Sequence, residues 1–222
     1  GMLAKNHCTE MIKPIHKSFM CGSVKTTALL LFFLVFFYSG FSQSWIRIFN
    51  QGTSNTWFHD MVETYDKGYL IAGQVDNELY VPPMYAWLIK TDINGNELWT
   101  KAVASSAYHI AFNGIDQATD GGVILTGVTS KLDSNSLDVL FMKLNPCGEK
   151  EWCNIITTPG NEDYGMRIRQ VNDGYIALIK YFIDLEAKRV WLFKLDNYGN
   201  IVWEKIIHQN GTYQEYAEPA DL

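Results

Sequence analysis

Runs of strand length, bounded by short polar turns, recur along this chain in a fixed order. The first set covers residues 58 to 65, 68 to 75, 86 to 91 and 97 to 102, and predicts four strands, a to d. Strands b and c are apolar on nearly every residue, so both of their faces must be covered, as happens when sheets stack. The turn between a and b reads Asp-Lys-Gly at residues 66 to 68, then Asp-Gly-Gly at 120 to 122 and Asn-Asp-Gly at 172 to 174. Gly and Asn/Asp tolerate the positive φ of tight hairpins, so each is a hairpin signal. The c-to-d stretch also occurs three times, at Trp87–Trp99, Leu140–Trp152 and Trp191–Trp203, with Gly95, Gly148 and Gly199 placed for a bulged hairpin.

The tryptophans Trp45, Trp99, Trp152 and Trp203 lie 54, 53 and 51 residues apart, a period that marks a repeat architecture. Four-stranded meanders with stacked faces at that period predict an all-β fold of the β-propeller type, with about three and a half blades. A β-solenoid is the alternative, but its coils repeat at a shorter period. The expected division is an orphan strand over 44 to 49, blade one over 57 to 102, blade two over 111 to 155, blade three over 164 to 207 and the start of a fourth over 213 to 222. The offset of the orphan strand is the one by which closed propellers complete their last blade.

The motifs Asp-Gly-Gly-Tyr-Ile-Leu-x-Gly, Trp-Leu-Ile-Lys-Leu-Asp and Gly-Asn-x-x-Trp, following a segment that ends Phe-Ser-Gln, resemble the repeat propellers of secreted and cell-envelope proteins of Bacteroidetes. The resemblance covers residues 43 to 212 and implies a fold and a compartment, not an activity. Proteins of this kind often carry more blades and a carboxyl-terminal sorting or anchoring domain.

The amino-terminal stretch agrees with that compartment. Gly1 before Met2 reads as a cloning residue. A basic segment ending at Lys25 precedes the apolar run from Ala28 to Tyr38 and the small residues Ser39, Gly40 and Ser42, which predicts a signal peptide over 1 to 42 that leaves Gln43 as the new terminus. A membrane anchor is the rival reading, but the run is shorter than the roughly 20 residues that span a bilayer. Met2, Met11 and Met20 are all candidate starts.

Of the 222 residues, 18 are basic and 24 acidic; four of the bases and one acid precede residue 43, so the remainder holds 14 against 23, a net charge of -9. An acidic body without a Lys/Arg cluster lacks the footprint that nucleic acid requires. Nucleic acid is excluded as a partner.

Candidate chemistry is sparse. The turn from Asp92 to Glu97 superficially resembles a calcium loop, but Gly95 is its fourth residue where such a loop needs glycine at the sixth, so a hairpin turn is the reading. A Gly four residues before each repeat Trp also resembles the docking motif of quinoprotein propellers. The small residue and Thr that complete that motif are absent, so no cofactor is expected. Lys90, Lys143 and Lys194 recur on strand c and read as stems laid along an aromatic neighbour, with an anion site as the alternative. Cys147 and Cys153 are a possible disulfide, since export removes the reducing cytosol, although a regular hairpin sets them too far apart. No metal site is expected.

In a propeller, the d-to-a and b-to-c loops emerge on one face around the channel, where binding groups collect. The candidates are Trp57, His59 and Asp60, then Tyr108, His109 and Asn113, then Glu162, Asp163 and Tyr164, with Asn55, Asn161, Tyr80, Pro82, Pro83, Tyr85 and the charged 184 to 189 stretch around them. The expectation is an exported, non-catalytic binding or scaffold module for a carbohydrate or protein ligand, which self-associates or recruits a partner supplying missing blades. The competing class is a carbohydrate-active enzyme using two loop carboxylates such as Asp60 and Asp163, which would stand about 5 to 9 Å apart.

Overall fold

The computed structural model describes residues 3–5, 46–49, 55–76, 84–131, 136–157, 162–182 and 188–207. The described residues contain no helix. Twelve strands form three four-stranded antiparallel meanders. Sheet 1 holds β2 (Asn55–Glu63), β3 (Tyr69–Asp76), β4 (Met84–Thr91) and β5 (Glu97–Val103). Sheet 2 holds β6 (Tyr108–Gln117), β7 (Val123–Lys131), β8 (Asp138–Leu144) and β9 (Lys150–Thr157). Sheet 3 holds β10 (Asp163–Val171), β11 (Gly174–Phe182), β12 (Lys188–Leu195) and β13 (Ile201–Ile207).

Each predicted strand a to d is present, but strand a begins about three residues earlier than its apolar pattern suggests, at Asn55 and Tyr108 in the first two sheets. An extra strand, β1 (Leu3–Lys5), pairs antiparallel with Thr157 to Ile155 on the edge of sheet 2, and nothing in the pattern of the chain anticipates it. Residues 46–49 have no strand pairing. Trp45, most of the expected signal segment, the loops with Tyr80, Pro82 and Pro83, and the expected fourth-blade start lie outside the described residues.

The two-sided apolar strands are explained by stacking. Leu70, Ala72, Ala86 and Leu88 of sheet 1 pack against Ile110, Phe112, Leu125, Leu140 and Met142 of sheet 2. The opposite face of sheet 2, with Ile124, Phe141 and Ile156, packs against Ile168, Ala177, Trp191 and Phe193 of sheet 3. Sheet 2 is therefore covered on both sides, and every apolar residue along β7 and β8 leaves water. The first strands of successive sheets, β2, β6 and β10, are neighbours in space.

The c-to-d hairpins have the predicted bulges, with register shifts at Lys90/Thr91, Lys143/Leu144 and Lys194/Leu195. Gly95, Gly148 and Gly199 all adopt positive φ. Asp92 Oδ1 accepts the N–H groups of Asn94 and Asn96 at 2.8 Å each, and Asp196 and Asn145 repeat the arrangement. The acidic turn residue thus organises its own backbone as a hairpin turn, in place of a calcium loop.

Candidate functional site

The recurring lysines of strand c are clamps on the a-to-b turn. Lys143 Nζ donates to Asp120 Oδ2 at 2.8 Å, to Glu151 Oε2 at 2.9 Å and to the Leu144 carbonyl at 3.1 Å. Lys90 donates to Thr64 Oγ1, Asp66 Oδ1 and the Thr91 carbonyl, and Lys194 to the carbonyls of Asp173 and Leu195 and to Asp173 Oδ1. All three ammonium groups are buried and their donors are used internally, which removes the anion-site alternative. Each lysine stands directly across from a repeat tryptophan, as Lys90 with Trp99, Lys143 with Trp152 and Lys194 with Trp203, but the charged head is satisfied by the turn.

In the first two repeats the glycine of the Asp-x-Gly turn, Gly68 or Gly122, makes room for this clamp. A Cβ at Gly122 would come within 2.3 Å of the Leu144 carbonyl oxygen and 2.5 Å of Lys143 Nζ. Burial alone would raise the Asp120 carboxyl; hydrogen bonds from Lys143 and the Gly122 N–H outweigh it and hold that carboxyl below the usual range.

The candidate binding residues divide into two groups. Trp57 and His59 of β2, Tyr108 and His109 of β6, and Glu162 and Tyr164 around the start of β10 gather at the same end of three neighbouring strands. Trp57 is 54% exposed, and beside it His59 Nε2 lies 3.3 Å from Gln74 Oε1. The Tyr164 hydroxyl donates to Glu162 Oε2 at 3.1 Å; burial, then the Glu162 charge, push its pKa up to about 12. Asp163 is buried, and its N–H donates to the Leu137 carbonyl.

Asp60 and Asn113 instead staple neighbouring sheets together. Asp60 Oδ1 accepts the Met61 N–H at 2.9 Å, while Oδ2 accepts the Ile115 N–H of sheet 2 at 3.0 Å and lies 3.9 Å from Arg169 of sheet 3. Asn113 Nδ2 donates to the Gly165 carbonyl at 3.0 Å, and Arg167 returns a bond to the Asn113 carbonyl at 2.9 Å. Asp116 Oδ2 accepts the Gln170 N–H at 2.8 Å, and Arg169 donates to the Ile115 carbonyl at 2.9 Å. The bulges at His59, Asn113 and Met166 interrupt the ladder at the same place in each first strand, which turns these groups toward the adjoining strand. Hydrophobic periodicity has no signal for a bulge, so the staples are invisible to it.

Cys147 and Cys153 are both disulfide-bonded. The β8/β9 register sets Cys153 opposite Met142, and Cys147 lies beyond Leu144 in a regular turn closed by the Asn145 side chain. That register does not bring the two together. Burial raises the Asp138 carboxyl, against a hydrogen bond from the Thr157 side chain. Among the described residues no group of three or more His, Cys, Asp or Glu side chains is placed to hold a metal ion.

Together these features define an all-β repeat of three stacked sheets with an aromatic and amide-bearing end. No protein-family model matches the chain, and no curated protein matches it.

Proposed function

We propose that the three sheets are consecutive blades of a β-propeller and that the chain is an exported binding or scaffold module, which takes its ligand at the first-strand end. The observation that carries the ligand side is Trp57. A large aromatic ring left 54% exposed beside the His59 and Gln74 polar pair is a stacking platform with hydrogen-bonding groups at its edge, the chemistry that recognises a sugar ring. Asp60, the acid that a glycosidase reading would use, accepts backbone N–H groups on both oxygens, and this favours binding over hydrolysis.

Affinity electrophoresis through gels containing single soluble polysaccharides tests this reading. At least one polysaccharide should retard the protein, and Trp57→Ala should abolish the retardation without shifting the unfolding midpoint, because the ring is largely in water. Equal mobility in every gel would remove the carbohydrate ligand. Export has a separate readout: the protein recovered outside the cytoplasm should begin at Gln43, and an amino terminus upstream of Ser42 would show that the leader is retained.

A further inference from the structure

We infer that Asn94 is a site of spontaneous deamidation, and that the c-to-d turn of sheet 1 ages there into a mixture of isoaspartate and aspartate. The reaction needs only water and hydroxide. The Gly95 backbone nitrogen, having given its proton to hydroxide, attacks the carbonyl carbon of the Asn94 side chain, and the new C–N bond closes a succinimide ring. The C–N bond of the side-chain amide breaks, and its nitrogen leaves as ammonia after taking a proton from water, which returns the hydroxide. A second water then opens the ring at either carbonyl. One opening gives aspartate, and the other gives isoaspartate, whose main chain runs through the former side chain. Nothing is oxidised or reduced.

The turn leaves both reacting groups accessible. Asn94 is exposed, and although its backbone N–H donates to Asp92 Oδ1 at 2.8 Å, its side chain makes no hydrogen bond among the described residues. The amide is therefore free to swing toward the following nitrogen. Gly95 sits at a φ of 75° and has no Cβ to screen that nitrogen from the approaching carbonyl. The matching turns of the other two sheets have Cys147 and Tyr198 before their glycines, so only the first repeat brings an amide to this position.

The same dipeptide occurs at Asn113-Gly114, and there the fold blocks the attack. Asn113 Nδ2 is held by the Gly165 carbonyl at 3.0 Å, and Arg167 holds the Asn113 carbonyl at 2.9 Å. Gly114 is buried, with the Met166 carbonyl oxygen 2.8 Å from where its Cβ would stand. Its amide can reach Gly114 only after the staple between sheets 2 and 3 opens. A third pair, Asn210-Gly211, lies outside the described residues. At Asn94 either product sets a new carboxylate close to Asp92, and isoaspartate adds one carbon to a turn that the Asp92–Asn96 and Gly95–Asp92 hydrogen bonds close at 2.9 and 3.1 Å. That turn is the one Arg47 meets through Asn96 Oδ1, at 3.2 Å.

The full chain, held folded in warm, mildly alkaline buffer, is sampled over weeks and digested with trypsin. The peptide of residues 91–101, which Lys90 and Lys101 delimit, should gain the mass difference between an amide and an acid, and fragmentation should place the change at position 94. The peptide of residues 102–131, which contains Asn113, should convert at least about tenfold more slowly, the factor that an opening cost of about 1.4 kcal/mol imposes. A carboxyl methyltransferase specific for isoaspartate should label the first peptide and spare the second. In urea both should convert alike, since the staple is then gone. Asn94→Gln should leave residues 91–101 unconverted, because glutamine has to close a larger ring. Conversion of Asn113 in the folded chain at the rate of Asn94, a change placed at Asn96, or an unaltered 91–101 peptide under conditions that convert the urea-unfolded chain would each overturn the inference.

Discussion

Replacing both Asp120 and Glu151 with alanine should cost about 3 to 5 kcal/mol of stability, and adding Lys143→Met to that variant should recover most of the loss. The Lys143 side chain is 2% exposed, while Asp120 and Glu151 are 53% and 42% exposed. The asymmetry decides the outcome. Taking away the carboxylates strands an ammonium in the core with the Leu144 carbonyl as its one remaining acceptor. Taking away the ammonium leaves two carboxylates that turn into water. Methionine keeps the volume of the lysine stem, so it also avoids a cavity. Asp120→Ala alone should cost clearly less than the double change, because Glu151 still neutralises Lys143. Urea midpoints at constant m-value measure all three variants, and failure of Lys143→Met to rescue would show that the stranded charge is not the cause. The Asp120 carboxyl is depressed in the folded state, so its contribution is fully present above its ordinary value of 3.8 and is lost as the pH falls below that, through the folded value.

This clamp also shows where reading the chain alone stops. The strands of the three repeats and the hairpin glycines are local signals, and the structure has them because turn chemistry and two-sided burial act over a few residues, whereas residues 46–49, expected within an orphan strand, have no strand pairing. Lys143 and Asp120 are 23 residues apart, and Lys194 and Asp173 are 21. What joins them is the register of two strands and the missing Cβ of a glycine in the turn. An Asp just ahead of the turn glycine and a lysine 21 to 24 residues after that Asp are present in all three repeats, as Asp66 with Lys90, Asp120 with Lys143 and Asp173 with Lys194, and read together with the c-to-b register they identify the clamp. Asp60 offers no such hint. A carboxylate near the start of a first strand looks equally like a loop acid, a catalytic acid or a staple, and only the bulge at His59 decides which backbone it meets. Trp57 and His59 remain in water where the loop argument expects binding groups, whereas Asn113 is turned into the adjoining sheet.

Gly127→Ala should cost about 3 kcal/mol or more, although it adds one methyl group to the middle of an apolar strand. Gly127 of β7 pairs with Phe112 next to the β6 bulge. A Cβ there would lie 1.9 Å from the Ala111 carbonyl oxygen and 2.8 Å from the Phe112 Cα, both backbone atoms of a strand fixed between two sheets. No rotamer change relieves that collision. Either β6 moves, which disturbs the Asn113 and Asp116 staples to sheet 3, or the ladder between β6 and β7 opens. A Cβ on Gly73 would likewise fall 2.0 Å from the Trp57 carbonyl oxygen. The third repeat carries Ile179 at this position and pairs it with Gly165, where the other repeats have Phe58 and Phe112, so bulk has moved across the pair and has not been added to it. Gly121→Ala is the control. Gly121 has φ of 83° and its Cβ would meet only the Pro146 ring at 3.6 Å, so the expected cost is the left-handed backbone penalty of about 1 to 2 kcal/mol. Comparing the two variants by urea unfolding separates collision from conformation: equal losses would mean that β6 yields freely, and with it the staples that hold sheet 2 to sheet 3.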